Sequence, residues 1–158
     1  VNNPQIIIYT DGSSRGNPGP GGYGVILELV GTSYNKSFSE GFRRTTNNRM
    51  ELLAVIIGLE KITKPNQTIL IVSDSKYVVD AVEKGWVFGW EKKHFKAKKN
   101  PDLWQRFLIV YRKHQVKFKW IKGHNNHPQN EFCDKIAVEA ALGSGLKIDQ
   151  WYEENELK

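Results

Sequence analysis

Four acids stand where packed elements would otherwise carry apolar side chains. Asp11 closes the run Ile6-Ile7-Ile8-Tyr9-Thr10, and Glu51 opens an apolar stretch that continues to Leu59. Asp74 follows Ile69-Leu70-Ile71-Val72-Ser73, and Asp134 shares a segment with Ala137 and Ala141. An ionised carboxylate on a packed face is costly unless a cation or hydrogen-bond donors meet it. Two of them about 4 Å apart oppose each other by roughly 4 kcal/mol at an effective dielectric near 20. Four brought to one place stay ionised together only around cations. Oxygen-only ligation favours a hard ion such as Mg²⁺ or Mn²⁺, and the chain has no Cys/His set for zinc. Two such ions about 4 Å apart serve in-line phosphodiester hydrolysis, one activating water and the other stabilising the leaving oxygen. Each acid also has a plainer reading. Asp11 starts an Asp-Gly turn, Glu51 favours a helix start, and Asp74 or Ser75 caps the helix that follows. Convergence separates the two readings, and spacing alone does not establish it.

The elements that must bring the acids together follow from periodicity. Ile6 to Thr10 is a β-branched run, and strand alternation puts Ile7, Tyr9 and Asp11 on one face and Ile6, Ile8 and Thr10 on the other. Residues 19–24 formally match G-x-G-x-x-G, but that fingerprint must open a helix, and Val25 to Val30 reads as a strand. The glycines therefore belong to a hairpin connection. A third strand is expected from about Ser33 to Phe42, completing an antiparallel meander. Thr46-Asn47-Asn48 offers caps for an apolar helix over Met50–Leu59. Ile69–Val72 has the character of a central parallel strand, with a helix over Lys76–Lys84, another over Asp102–Lys113, and a last strand at Val116–Ile121. Pro128 suits the first turn of a helix carrying Asn130 and Asp134, and Ile148–Leu157 can form a short helix. This order predicts an α/β fold: a mixed five-stranded sheet flanked by helices.

At 158 residues, with 39% hydrophobic and 25% charged side chains, the chain is sized for one domain with a core of its own. No apolar run reaches the roughly 18 residues of a membrane span, and no basic-then-apolar signal segment is present. The lone Cys133 excludes an internal disulfide and reads as a small core residue, so a cytoplasmic protein is expected. The net charge of +6 is unevenly placed. Lys84, Lys92, Lys93, Lys96, Lys98 and Lys99 face one acid, Glu91, with Trp86, Phe88, Trp90 and Phe95 interleaved. Most charge runs are solvated faces. Lysines among large aromatics suit a nucleic acid, whose phosphates and bases they can both engage.

Four motifs resemble those of type 1 ribonucleases H, in order and with similar spacing. They are Thr10-Asp11-Gly12-Ser13 with Gly16 to Gly24, Thr45 to Leu52, Ser73-Asp74-Ser75-Lys76-Tyr77-Val78, and Trp120 to His124 with Asn130 to Asp134. The resemblance runs from about Ile6 to Ala141. It implies a ribonuclease H-like sheet, three antiparallel strands then two parallel. It also implies a single catalytic domain over 1–143 with a basic handle at about 84–100, and a tail at 144–158. The implied activity is endonucleolytic cleavage of the RNA strand of RNA/DNA hybrids with two Mg²⁺ ions, Mn²⁺ being a substitute, leaving 5′-phosphate and 3′-hydroxyl ends. Asp11, Glu51, Asp74 and Asp134 match the metal-binding acids, and His124 the mobile-loop histidine that assists catalysis. His94, His114 and His127 read as surface residues. Asn17, Asn47, Asn48 and Lys76 would face the RNA strand, whose 2′-hydroxyl both donates and accepts. Arg44, Thr46 and Asn100 match a DNA-phosphate pocket. Trp86, Trp90, Lys92, Lys93 and Lys96 match the handle beside the DNA strand, one tryptophan being equally suited to its core. Lys76 and Ser14 depart from a bacterial pattern of glutamine and cysteine. A monomer without membrane association is expected.

Two further readings stay open on the residues alone. A non-catalytic hybrid-binding module would lack one of the acids, and none is missing. A nuclease or transposase-like enzyme acting on DNA could use the same fold, and a duplex DNA substrate separates it from a ribonuclease H.

Overall fold

The computed structural model describes residues 3–123 and 126–156. Nine-residue β1 (Ile6–Ser14) and eleven-residue β2 (Gly19–Leu29) and β3 (Asn35–Thr45) form the antiparallel meander. β3 runs three residues beyond the expected Phe42, because Gly19 pairs with Thr45 past a register shift. After α1 (Asn47–Glu60) come β4 (Thr68–Ser73), α2 (Lys76–Glu83), α3 (Trp86–Lys92), α4 (Pro101–Tyr111), β5 (Gln115–Trp120), α5 (Pro128–Leu142) and α6 (Gln150–Asn155). The sheet order is β3-β2-β1-β4-β5, with β1, β4 and β5 parallel.

Alternation along the strands sorts the core into two layers. Ile6, Ile8, Val25, Leu27, Ile69, Ile71 and Phe118 face α1 and α4, in one large cluster that includes Trp104 and Phe107. Tyr9 and Val72, with Ile7, Ile26 and Leu70 beside them, pack with Cys133 of α5 on the other face. This second layer is thin because α5 lies directly on the strands. A Cβ on Gly24 would stand 2.2 Å from the Cys133 carbonyl oxygen, and one on Gly22 2.4 Å from that of Ala137. Those glycines bring α5, and Asp134 with it, against the sheet.

α1 starts at Thr46, whose hydroxyl accepts from the Arg49 amide. Its residues Met50 to Ile56 are all buried, as the continuous apolar run implies. Arg49 is buried too, at 2% exposure. Its guanidinium forms paired hydrogen bonds of 2.7–2.9 Å with Asp102 of α4 and with Asp149, which stands just before α6. Thr45 adds a 2.7 Å hydrogen bond to Asp149. Residues 149–155 are thereby tied to the body of the molecule. The 93–100 segment turns tightly, with His94, Phe95, Ala97 and Asn100 all at positive φ. Non-glycine residues are uncommon there, and burial of Phe95 and Asn100 anchors the turn.

Candidate active site

Parallel pairing sets Tyr9 opposite Val72. Continuing that register by two residues brings Asp11 beside Asp74, on the face toward α5. Neighbouring strands are about 4.8 Å apart, so side chains at matched positions meet. Glu51 reaches the same strand ends from α1. The Gly12 amide donates to Glu51 Oε1 at 2.7 Å and to Asp11 Oδ1 at 2.9 Å, holding both carboxyl groups. Only glycine permits this approach, since a Cβ there would lie 2.3 Å from the Glu51 nitrogen. Gly123 has a similar role at the rim, where a Cβ would lie 2.7 Å from Asp74 Oδ2.

Carboxylate oxygens of Asp11, Glu51 and Asp74 lie within 4.8 Å of one another. Asp11 and Glu51 are buried and Asp74 is half-buried. Burial, then the nearby Asp74 and Asp134, push the Asp11 carboxyl up to about 8. Burial and the Asp11 charge likewise raise Glu51 well above the usual carboxylate range. Burial and mutual repulsion therefore favour a proton on the pair when no cation is present. The donor set is all oxygen and crowded with negative charge, which fits a hard divalent ion. Asp134 acts on Asp11 from α5 but is not within the three-carboxylate group. Of the two cap candidates at the end of β4, Ser75 takes the role, accepting from the Val78 amide.

The other expected residues divide into groups. Asn17 Oδ1 accepts from the Asn47 amide at 3.1 Å, joining the glycine-rich turn to the start of α1. Asn17, Thr46, Asn48 and Asn100 line one cavity of about 300 Å³ together with Lys99, Tyr152 and Glu156. Arg44 is exposed and lies outside that lining. Lys76 Nζ sits 4.8 Å over the ring of Trp120, whose indole donates to the Asp74 carbonyl at 3.0 Å. In the basic segment Trp86 is 48% exposed, whereas Trp90 packs edge-on against Trp104 with centroids 5.8 Å apart. Trp90 is thus the tryptophan that packs onto the main core, through Trp104 of α4. Lys93, Lys96 and Lys98 surround a cavity of about 360 Å³ with both tryptophans, and Lys92 is exposed outside its lining. A larger cavity of about 420 Å³, lined by Ile6, Leu27 and Phe38, includes none of the acids.

His124 lies outside the described residues. His127 is not a plain surface residue: its Nδ1 accepts from the Asn130 amide as the cap of α5, and its ring lies 5.7 Å from that of Tyr9. His114 likewise accepts from the Gln67 amide. Sequence reasoning gave no role to Arg49, Tyr152 or Glu156. A lone cation in an apolar helix was the available signal for Arg49, but its partners lie 53 and 100 residues away.

The site thus combines a five-stranded mixed sheet with carboxylates gathered at its strand ends, a donor set that could hold a divalent cation. Residues 3–142 match the RNase H family. The chain is 50% identical over 154 residues to a ribonuclease H of Desulforamulus reducens, covering 94% of this chain and 95% of that one. It is 49% identical over 158 residues to a ribonuclease H of Lachnoclostridium phytofermentans, covering 94% and 99%. The crystal structure of LC9-RNase H1, a type 1 RNase H with the type 2 active-site motif, superposes with a TM-score of 0.79 at 32% identity, covering 98% and 81%. LC11-RNase H1, solved in complex with an RNA/DNA hybrid, gives 0.64 at 26% identity, covering 86% and 96%. The chain belongs to the ribonuclease H family. It is a nuclease, with a carboxylate cluster suited to a divalent cofactor.

Proposed function

We propose that the protein is an endonuclease that hydrolyses the RNA strand of RNA/DNA hybrids, leaving 5′-phosphate and 3′-hydroxyl ends. The observation that carries the reading is the Asp11, Glu51 and Asp74 cluster, three acids within 4.8 Å in a member of this family. These three, with Asp134 at the rim, would hold two divalent ions, Mg²⁺ by preference and Mn²⁺ as substitute. When bound, the ions supply an activated water and charge relief at the leaving oxygen. The Gly12 amide keeps the Glu51 and Asp11 carboxyl groups aimed at the cluster. His124 serves the proton transfer.

Recognition precedes chemistry. Asn17, Asn47, Asn48 and Lys76 face the RNA strand, where 2′-hydroxyls distinguish it from DNA. Thr46 and Asn100 grip a DNA phosphate, with Arg44 nearby in sequence. Trp86 and Lys92, Lys93 and Lys96 of the handle follow the DNA strand, with Trp90 packing the handle onto the main core. The catalytic unit spans 1–143 with its handle at about 84–100. It works as a cytoplasmic monomer, in keeping with its single buried cysteine. No helix among the described residues is long and apolar enough to cross a membrane.

Purified protein with Mg²⁺ is expected to cut labelled hybrid, to leave duplex DNA and duplex RNA intact, and to lose activity in EDTA. Binding of hybrid without cleavage would instead support a recognition module, and cleavage of duplex DNA a DNA nuclease.

A further inference from the structure

The segment beyond Gly143 carries none of the family motifs, yet it walls the cavity at the start of α1. Tyr152 and Glu156 line that cavity together with Thr46, Asn48, Lys99 and Asn100. Their position is not a loose contact. Asp149, a few residues earlier, is fixed by Arg49 and Thr45, and Trp151 lies 5.1 Å below the same guanidinium. The cavity suits an anion in most respects. It meets the N-terminal end of a fourteen-residue helix, where the helix dipole favours negative charge. Among the described residues, Lys99 is the cation in its lining. Glu156 is the exception, a carboxylate in the wall of an anion-favouring cavity.

Glu156 Oε2 lies 3.4 Å from Lys99 Nζ. The two partners differ in freedom: the Lys99 side chain is 79% exposed, the Glu156 side chain 29%. The ammonium, much the more exposed of the two, can turn to another partner. We propose that Glu156 is a built-in counter-anion for Lys99, which a backbone phosphate of the nucleic acid must displace, so that the C-terminal segment sets the affinity of this cavity for substrate. The proposal rests on the reading of the protein as a hybrid-binding nuclease. Exposed ion pairs are weak, so releasing Lys99 from Glu156 changes affinity by roughly two- to fivefold.

The test measures binding of a fluorescently labelled RNA/DNA hybrid by anisotropy, in an Asp11→Asn background that leaves the probe uncut, between about 50 and about 200 mM salt. Glu156→Gln is expected to tighten binding roughly two- to fivefold and to steepen the salt dependence. Lys99→Gln is expected to weaken binding and flatten the log–log salt slope by about one. With Lys99→Gln already present, Glu156→Gln should give a smaller gain than it does alone. Unchanged or weaker binding by Glu156→Gln overturns the proposal, as does an equal gain with and without Lys99, which would mark Glu156 as general repulsion. If the Asp11→Asn protein fails to bind hybrid at all, it is the functional reading that falls. Hybrid binding with a silent Glu156→Gln removes this proposal alone.

Discussion

Asp11 carries a carboxyl group raised from an ordinary 3.8 to about 8, chiefly by burial and then by the charges of Asp74 and Asp134. Glu51 is displaced in the same direction. A raised carboxyl stabilises the fold fully below its unfolded value and loses that contribution as pH rises through the folded one. In EDTA, therefore, the melting temperature should fall between about pH 4 and pH 8 as these groups are forced to ionise against one another. Asp11→Asn removes one charge at nearly constant shape. It should abolish cleavage, and in EDTA at pH 8 it should melt higher than the unsubstituted protein. Mg²⁺ should narrow that difference by stabilising the unsubstituted cluster. Thermal melts of both proteins across pH, with and without Mg²⁺, check the three stability expectations and a hybrid-cleavage assay checks the fourth; an Asp11→Asn protein less stable in EDTA at pH 8 would contradict the electrostatic account.

At the scale of elements, α1 joins what would otherwise be separate parts. Its cap Thr46 lines the cavity, its residue Glu51 reaches the acids, and Arg49 between them is locked to α4 and to the start of α6. Burial alone would lower the Arg49 pKa, but its hydrogen bonds to Asp102 and Asp149 outweigh that and hold it charged. Removing one partner of a buried ionic network leaves the others uncompensated, at a cost of about 3–5 kcal/mol. Arg49→Met should lower stability by about that amount in urea unfolding, because it strands Asp149 and leaves Asp102 without its main partner. Adding Asp149→Asn to Arg49→Met should recover part of the loss, since the amide is less costly to bury than an unpaired carboxylate.

At the scale of the whole molecule, charge is segregated. The acids meet at the ends of β1 and β4, whereas the segment from Lys84 to Lys99 holds six lysines against Glu91. Glu91 is moreover engaged by Arg112 at 2.6–2.8 Å, so it does little to offset those lysines. Under the proposed function, a polyanion bound by this segment would be neutralised there and brought toward the carboxylates, where cations would be needed to accept it. Exchanging Lys92, Lys93, Lys96, Lys98 and Lys99 together for Gln should weaken hybrid binding and flatten its log–log salt dependence by up to about four. Titrations at several salt concentrations read the slope directly, and an unchanged slope would return these lysines to plain solvated surface.

Much of this protein was legible in order along the chain. The apolar run ending in Asp11, the apolar helix with Glu51 and the short strand before Asp74 each announce their element, because burial on several sides leaves a continuous apolar run of fitting length. The sheet class followed from their sequence, and the motifs around the acids carried the family. What local pattern could not supply was distance. The matched register of β1 and β4 sets Asp11 beside Asp74, and Gly12 lets α1 come close enough for Glu51 to join them, so a costly set of charges becomes a site. Arg49, Tyr152 and Glu156 were silent for the same reason. A buried cation is intelligible only with its distant acids, and a carboxylate in a polar tail gains meaning only when the fold sets it against Lys99. The residue types that can do the chemistry, and the elements that carry them, were therefore written in the sequence. Which of them meet, and at what electrostatic cost, was decided by tertiary packing, because repulsion, desolvation and pairing depend on separations between residues that are far apart along the chain.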